Sequence, residues 1–171
     1  YQLKMFNVIK RTMVIAVLDN IRSAHNVGSI FRTADAFGVS EIWLCGTTPA
    51  PTDKFGRARS DIAKVALGAE KTVPSKYLKT TAAAVSSLKK KGFKIFSVEQ
   101  SDDSEDIGKL KNVKDKDIAL IFGNEVDGVS PKILKTSDKI FEIPMFGQKE
   151  SLNVSVAFGI AMHELPRRLM V

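Results

Sequence analysis

The sequence predicts an α/β fold, a mostly parallel sheet with helices on both faces. Three observations carry that reading. Short apolar runs such as VIAVL and IALIF alternate with longer segments of helical periodicity, and strands that alternate with helices run parallel between two helical layers. Gly38 and Gly92 fall just past two of the helical segments, where left-handed helix ends favour glycine. Three loops of unusual composition, DNIRSAHNVGS, GNEVDGVSP and PMFGQKESLNVS, each follow an apolar run, and ligands of such sheets bind outside the carboxyl ends of the strands.

The first strand is expected over Met13–Leu18, an apolar run stopped by Asp19. A helix follows over Asn26–Phe37, where Val27, Ile30, Phe31, Ala34 and Phe37 share one face at three- and four-residue spacing. The pattern then predicts a strand at Glu41–Leu44, helices at Ser60–Leu67 and Thr81–Lys91, and a strand at Phe93–Val98. EQSDDSED, Glu99 to Asp106, reads as a solvated loop. Asp117–Phe122 is the next strand, Pro131–Lys135 a short helix with proline in its first turn, and Lys139–Ile143 the last strand, stopped by Pro144. SLNVSVAFGIAMHEL supplies a final helix, Leu152–Leu165, apolar on almost every side. Such a helix needs cover all round, which implies a second subunit as well as its own sheet. Asn26 and Ser151 are the expected caps of the first and last helices.

With 171 residues the chain favours one domain, 1–171, and can bury a core without disulfides. Cys45 is the only cysteine, and His25 and His163 are the only histidines. That excludes an intramolecular disulfide and argues against a cysteine- or histidine-based metal centre. No stretch has the length of a membrane span. The opening YQLKMFNVIKRTMVIAVLDN lacks a small-residue cleavage site and reads as the approach to the first core strand. Lys and Arg number 26 against 19 acids, a net charge of +7, and such a surface attracts polyanions. Charge alone barely separates a nucleic-acid binder from a protein that is simply basic. Its distribution adds something: Arg57 and Arg59 sit in the loop GTTPAPTDKFGRARS with no helix end to stabilise, whereas Lys89, Lys90, Lys91 and Lys94 surround one.

The second loop imitates a phosphate-binding loop, with Gly123 and Gly128 at P-loop spacing. The lysine that should follow is replaced by Val129, although Ser130 keeps a hydroxyl in the next place, and Glu125 and Asp127 would repel a triphosphate. GxGxxG is absent, so a dinucleotide fold of the usual kind is disfavoured too. An adenosine-type or cationic ligand suits the loop better, since glycine lets backbone groups approach a ring closely. In the first loop Asn20, Asn26 and Gly28 gather with Arg32, which lies off the apolar stripe. Each reads equally as a turn, a cap or a solvated arginine; together at one strand end they suggest a site. In the third loop Asn153 is a polar residue at the start of a buried helix and must find partners, as a cap or as a ligand contact.

Taken together, NIRSAHNVGSIFRTADAFGV, LIFGNEVDGVS and IPMFGQKESLNVSVAFGIAMHE resemble the three motifs of the SpoU (TrmH) class of SPOUT RNA methyltransferases. VALGAEKTVP, Val65 to Pro74, resembles the segment between them in many members. The resemblance covers nearly the whole chain. It implies a C-terminal deep trefoil knot, an exception to the rule against knots, and a homodimer paired through the C-terminal helix. It implies S-adenosylmethionine as cofactor, held around Val98, Gly123, Asn124, Glu125, Gly128, Ile143, Met145, Ser151 and Leu152. It implies methylation of a ribose 2′-hydroxyl in tRNA or rRNA in the cytoplasm, without a metal or a membrane. Asn26, Arg32, Glu125, Ser151 and Asn153 match the motif positions used around the reacting centre, and Arg32, with Arg57 and Arg59, is expected to meet RNA. The additional N-terminal RNA-binding domain of some members is expected to be lacking. The alternative is an RNA-binding module of the same fold that has lost catalysis, which need not retain that full set of residues.

Overall fold

Seven strands form one sheet in the order β3-β2-β1-β6-β4-β7-β5, in a computed structural model that describes residues 12–109 and 117–169. The strands are β1 (Val14–Asp19), β2 (Glu41–Cys45), β3 (Ser75–Leu78), β4 (Lys94–Val98), β5 (Glu105–Asp106), β6 (Ile118–Gly123) and β7 (Lys139–Glu142). Every pair in the sheet is parallel. The helices are α1 (Ala24–Phe37), α2 (Ser60–Ala66), α3 (Ala69–Thr72), α4 (Thr81–Lys90), α5 (Pro131–Leu134) and α6 (Val154–Leu169).

Side-chain alternation along the central strands builds two cores. Val14, Ala16 and Leu18 of β1 and Leu120 and Phe122 of β6 face α1, α2 and α6. Ile15 and Val17 of β1 and Ala119 and Ile121 of β6 face α4 and α5. The α/β expectation holds, with helices on both faces. Fully buried Phe31, Phe122 and Phe158 each contribute on the order of 1.5–3 kcal/mol through burial. Phe122 and Phe158 meet edge to face, 5.1 Å between centroids. That contact fixes the end of β6 against α6 and so sets where the loops of the site begin.

Several boundaries differ from the expectation. β3, β5 and α3 were not foreseen. β3 reads SKYL and its residues are at most half-buried; it is held by backbone pairing to β2 rather than by apolar alternation. β5 is two acidic residues paired to β7, and it lies within the stretch expected to be a solvated loop. α1 starts at Ala24 and is capped by Ser23, whose hydroxyl accepts from Asn26 N; Asn26 is therefore in the first turn, not at the cap. α6 starts at Val154, capped by Asn153 rather than Ser151: the Asn153 Oδ1 accepts from Ser155 N at 2.9 Å. Gly38 ends α1 in the left-handed region, φ 65°, as expected. Among the described residues no helix is long and apolar enough to cross a membrane.

Candidate active site

β6, β4 and β7 are neighbours in the sheet, so the loops leaving their carboxyl ends converge. They enclose a cavity of about 390 Å³, within the range of small-molecule sites, roughly 300–1,000 Å³. β4 contributes Val98, the glycine loop contributes Gly123, Asn124, Glu125 and Gly128, and the third loop contributes Ile143, Met145, Ser151 and Leu152. Every residue that the resemblance associates with the cofactor thus lines one cavity. Phe122, Ile143 and Leu152 offer apolar walls, while Glu99, Glu125 and Glu150 offer carboxylates. That donor set suits a ligand with a flat ring and a positive centre, and it opposes one carrying phosphates.

The glycines of the second loop are required by close backbone approach. A Cβ on Gly123 would sit inside the backbone of Gly128 and Val129, because the loop folds back with a bridge between Asn124 and Gly128. Gly128 has φ 62° and lies against the Glu99 carboxylate. Glu99 accepts from Val129 N at 2.7 Å and from Gln100 N at 3.0 Å. Gln100 in turn donates from Nε2 to the Glu150 carbonyl at 2.9 Å. Glu99 and Gln100 therefore tie all three loops together. Sequence reasoning passed over them inside the acidic run; the signal available was their position directly after β4.

The polar residues of the three motifs meet across the chain. Asn26 Nδ2 donates to Glu125 Oε1. Asn153 Nδ2 donates to Asn26 Oδ1 at 3.1 Å, while its own Oδ1 caps α6. Asn26 is buried, and its amide is free for this network because Ser23, not Asn26, caps α1. Asn153 thus caps α6 and also bonds Asn26, while neither residue lines a cavity itself.

With this arrangement in view, residues 13–163 match the SpoU rRNA Methylase family. The chain belongs to that family. A relative named 23S rRNA (guanosine-2′-O-)-methyltransferase RlmB, from Neisseria meningitidis serogroup B, is 36% identical over 155 residues, covering 91% of this chain and 58% of that protein. An Aquifex aeolicus relative named tRNA (guanosine(18)-2′-O)-methyltransferase is 32% identical over 155 residues, covering 91% of this chain and 69% of that protein. Among solved structures, an AdoMet-bound rRNA methyltransferase from Sinorhizobium meliloti superposes with a TM-score of 0.81 at 28% identity, covering 95% of this chain and 59% of that one. The chain spans about three fifths of the length of the RlmB relatives it matches.

Other motif residues of this SpoU-family chain lie outside the cavity. Gly28 packs α1 on α2, where a Cβ would come within 2.8 Å of the Ile62 carbonyl. Asn20, at φ 57°, accepts from Thr47 N at 3.1 Å and donates to Asp19. It lines a second cavity, of about 400 Å³, beyond the glycine loop, together with Arg22, Lys79 and Lys132. Asp19 is buried there, and burial raises its pKa against the hydrogen bonds from Thr81 and Asn20 that lower it. Arg32 is exposed on α1 and lines neither cavity. Arg57 is paired within its own loop, to Asp53 at 2.7 Å, and Arg59 to Asp61 in the first turn of α2 at 2.5 Å. The Arg57 guanidinium holds the Asp53 carboxyl below its ordinary value, as Arg59 does for Asp61. Among the described residues no group of three or more His, Cys, Asp or Glu could hold a metal ion.

Proposed function

We infer that this chain methylates the 2′-hydroxyl of a ribose in tRNA or rRNA, using S-adenosylmethionine. The observation that carries the reading is the convergence of three strand-end loops on one cavity, whose Glu125 is tied by hydrogen bonds to Asn26 and through it to Asn153 just outside the lining. The relatives' printed names and the AdoMet-bound structure support it. The cofactor supplies a methyl group already activated by a sulfonium. The chain's part is to hold that centre beside carboxylates, exclude water with Phe122, Ile143 and Leu152, and orient the ribose hydroxyl in line. The hydroxyl must also lose its proton. A guanidinium is essentially never neutral in a protein, so Arg32 orients the ribose through the adjacent phosphate.

A homodimer paired through α6 belongs to the same reading. Val156 of α6 is 49% exposed and Phe37 of α1 is 39% exposed, on two helices that pack together. Arg32 lies on α1, outside its own cavity, and a second copy packed there would bring its Arg32 toward this site. The trefoil knot is proposed with it: β7 lies between β4 and β5, an order compatible with a chain threaded through its own loop. RNA contact by Arg57 and Arg59, a single domain across residues 1–171, and a cytoplasmic location with the free thiol of Cys45 buried complete the proposal.

The test is methyl transfer from labelled adenosylmethionine to total RNA from cells lacking the gene, with mass spectrometry of the nucleosides. Ribose-methylated product is expected. Arg32→Lys, which loses the planar fork, is expected to lose at least about tenfold in rate. Transfer by that variant at the wild-type rate would remove Arg32 from the mechanism, and base-methylated product would overturn the ribose assignment.

A further inference from the structure

We propose that Phe55 is a stacking platform for an unpaired base of the RNA substrate, presented on a braced hairpin in the loop that leaves the carboxyl end of β2. The proposal rests on the RNA reading above and adds the residue that grips a base away from the reacting nucleotide. Single exposed apolar side chains are common on protein surfaces, so exposure alone says little. Phe55 is 69% exposed, and four further observations set it apart.

The ring stands at the tip of a braced turn. Thr52 and Ala58 form an antiparallel bridge, Asp53 N donates to the Arg57 carbonyl at 2.9 Å, and Gly56 N donates to the Asp53 carbonyl at 2.9 Å. The Asp53 carboxylate closes the turn from inside, accepting from Phe55 N at 2.8 Å and Arg57 N at 3.0 Å. Gly56, at φ 78°, supplies the left-handed residue that such a turn needs. The ring is thus held out by backbone geometry rather than by a floppy loop, and a preorganised aromatic loses little entropy on contact.

Cations flank the ring. Lys54 Nζ lies 5.0 Å and Arg57 Cζ 5.1 Å from its centroid. A base stacking on the ring displaces a lysine from its face, and the lysine then meets the phosphate beside that base. Arg57 is neutralised by Asp53, which makes it a weaker anchor for RNA than its charge suggests and leaves the ring as the distinctive feature of the loop. The hairpin also rises from the correct edge. It follows the carboxyl end of β2, and β2 lies two strands from β6, about 10 Å across the sheet from Gly123. The chain as a whole carries +7.

The experiment measures binding of a short fluorescein-labelled oligoadenylate RNA and of inorganic polyphosphate to wild type, Phe55→Ala, Phe55→Tyr and Phe55→Trp. Phe55→Ala is expected to bind oligoadenylate at least about fivefold more weakly, with polyphosphate affinity, salt dependence and adenosylmethionine affinity unchanged. Phe55→Tyr is expected to bind as wild type. The indole introduced in Phe55→Trp is expected to be quenched by oligoadenylate and not by polyphosphate; Trp43, the only other tryptophan, is fully buried. Wild-type affinity in Phe55→Ala, absence of quenching, or equal losses for both polyanions would each overturn the proposal. A changed elution volume with RNA affinity intact would make the ring a contact between copies instead. If wild type binds no RNA at all, the RNA reading itself fails, and the stacking role with it.

Discussion

Asn26 illustrates what a single residue contributes and how far it could be read beforehand. Its position at the head of a helix suggested a cap, yet Ser23 takes that role and leaves the amide to bond Glu125. The choice between the two depends on whether the helix begins one turn earlier, which periodicity does not resolve. Gly123 was legible as a close-approach position, but the neighbour it admits is its own loop, a long-range fact no local pattern carries. Glu99 was hidden because an acidic run ordinarily means solvent. Cys45 gives a prediction at this scale. It is fully buried, and burial, with the nearby Asp19 carboxylate adding, pushes its thiol from 9.0 up to about 12. At about pH 8 the native thiol is neutral and shielded, so a disulfide reagent is expected to label it only after denaturation. Because the folded value is the raised one, the associated stability is complete below 9.0 and is lost as pH rises toward about 12. Rapid labelling of the native chain would show that the thiol is neither shielded nor raised.

At the scale of elements, the strongly periodic pieces were legible and the marginal ones were not. β1 and β6 are continuous apolar runs, and α1 and α4 carry apolar stripes, patterns that a local reading detects. β3 and β5 exist because a neighbouring strand offers unpaired backbone groups, and nothing in SKYL or ED announces that. The start of α6 depends on Asn153, which caps the helix through Oδ1 and reaches Asn26 through Nδ2. Asn153→Ala removes both bonds and is expected to cost about 1–2 kcal/mol in urea denaturation. Asn153→Ser keeps a capping hydroxyl and loses the link to Asn26, so about half that loss is expected. Equal losses in the two variants would mean that the cap contributes nothing.

For the whole molecule, the parallel sheet explains why motifs far apart in sequence share one cavity. Parallel pairing points the carboxyl ends of β4, β6 and β7 the same way, so their loops gather at one edge. The meeting of the second and third loops was readable from composition and the order of the motifs; the share of the β4 loop was not, and the first loop, expected at the same pocket, lines the second cavity instead. Asn20, in the turn after β1, belongs to the second cavity, while α1 turns Gly28 into helix packing and Arg32 to an exposed face. The cover implied by an all-round apolar α6 is consistent with the half-exposed Val156, which a second copy would bury. The central claim is that the cavity at this edge holds a methyl donor. Titration calorimetry of the chain with adenosylmethionine, with ATP as the comparison ligand and Leu152→Arg as the variant, tests it most directly. Leu152 lines the cavity, and an arginine there both fills it and repels a sulfonium. The account predicts saturable binding of adenosylmethionine, weakened about tenfold or more in Leu152→Arg, and no binding of ATP. ATP binding in its place, or an unchanged affinity for adenosylmethionine in the variant, would contradict it.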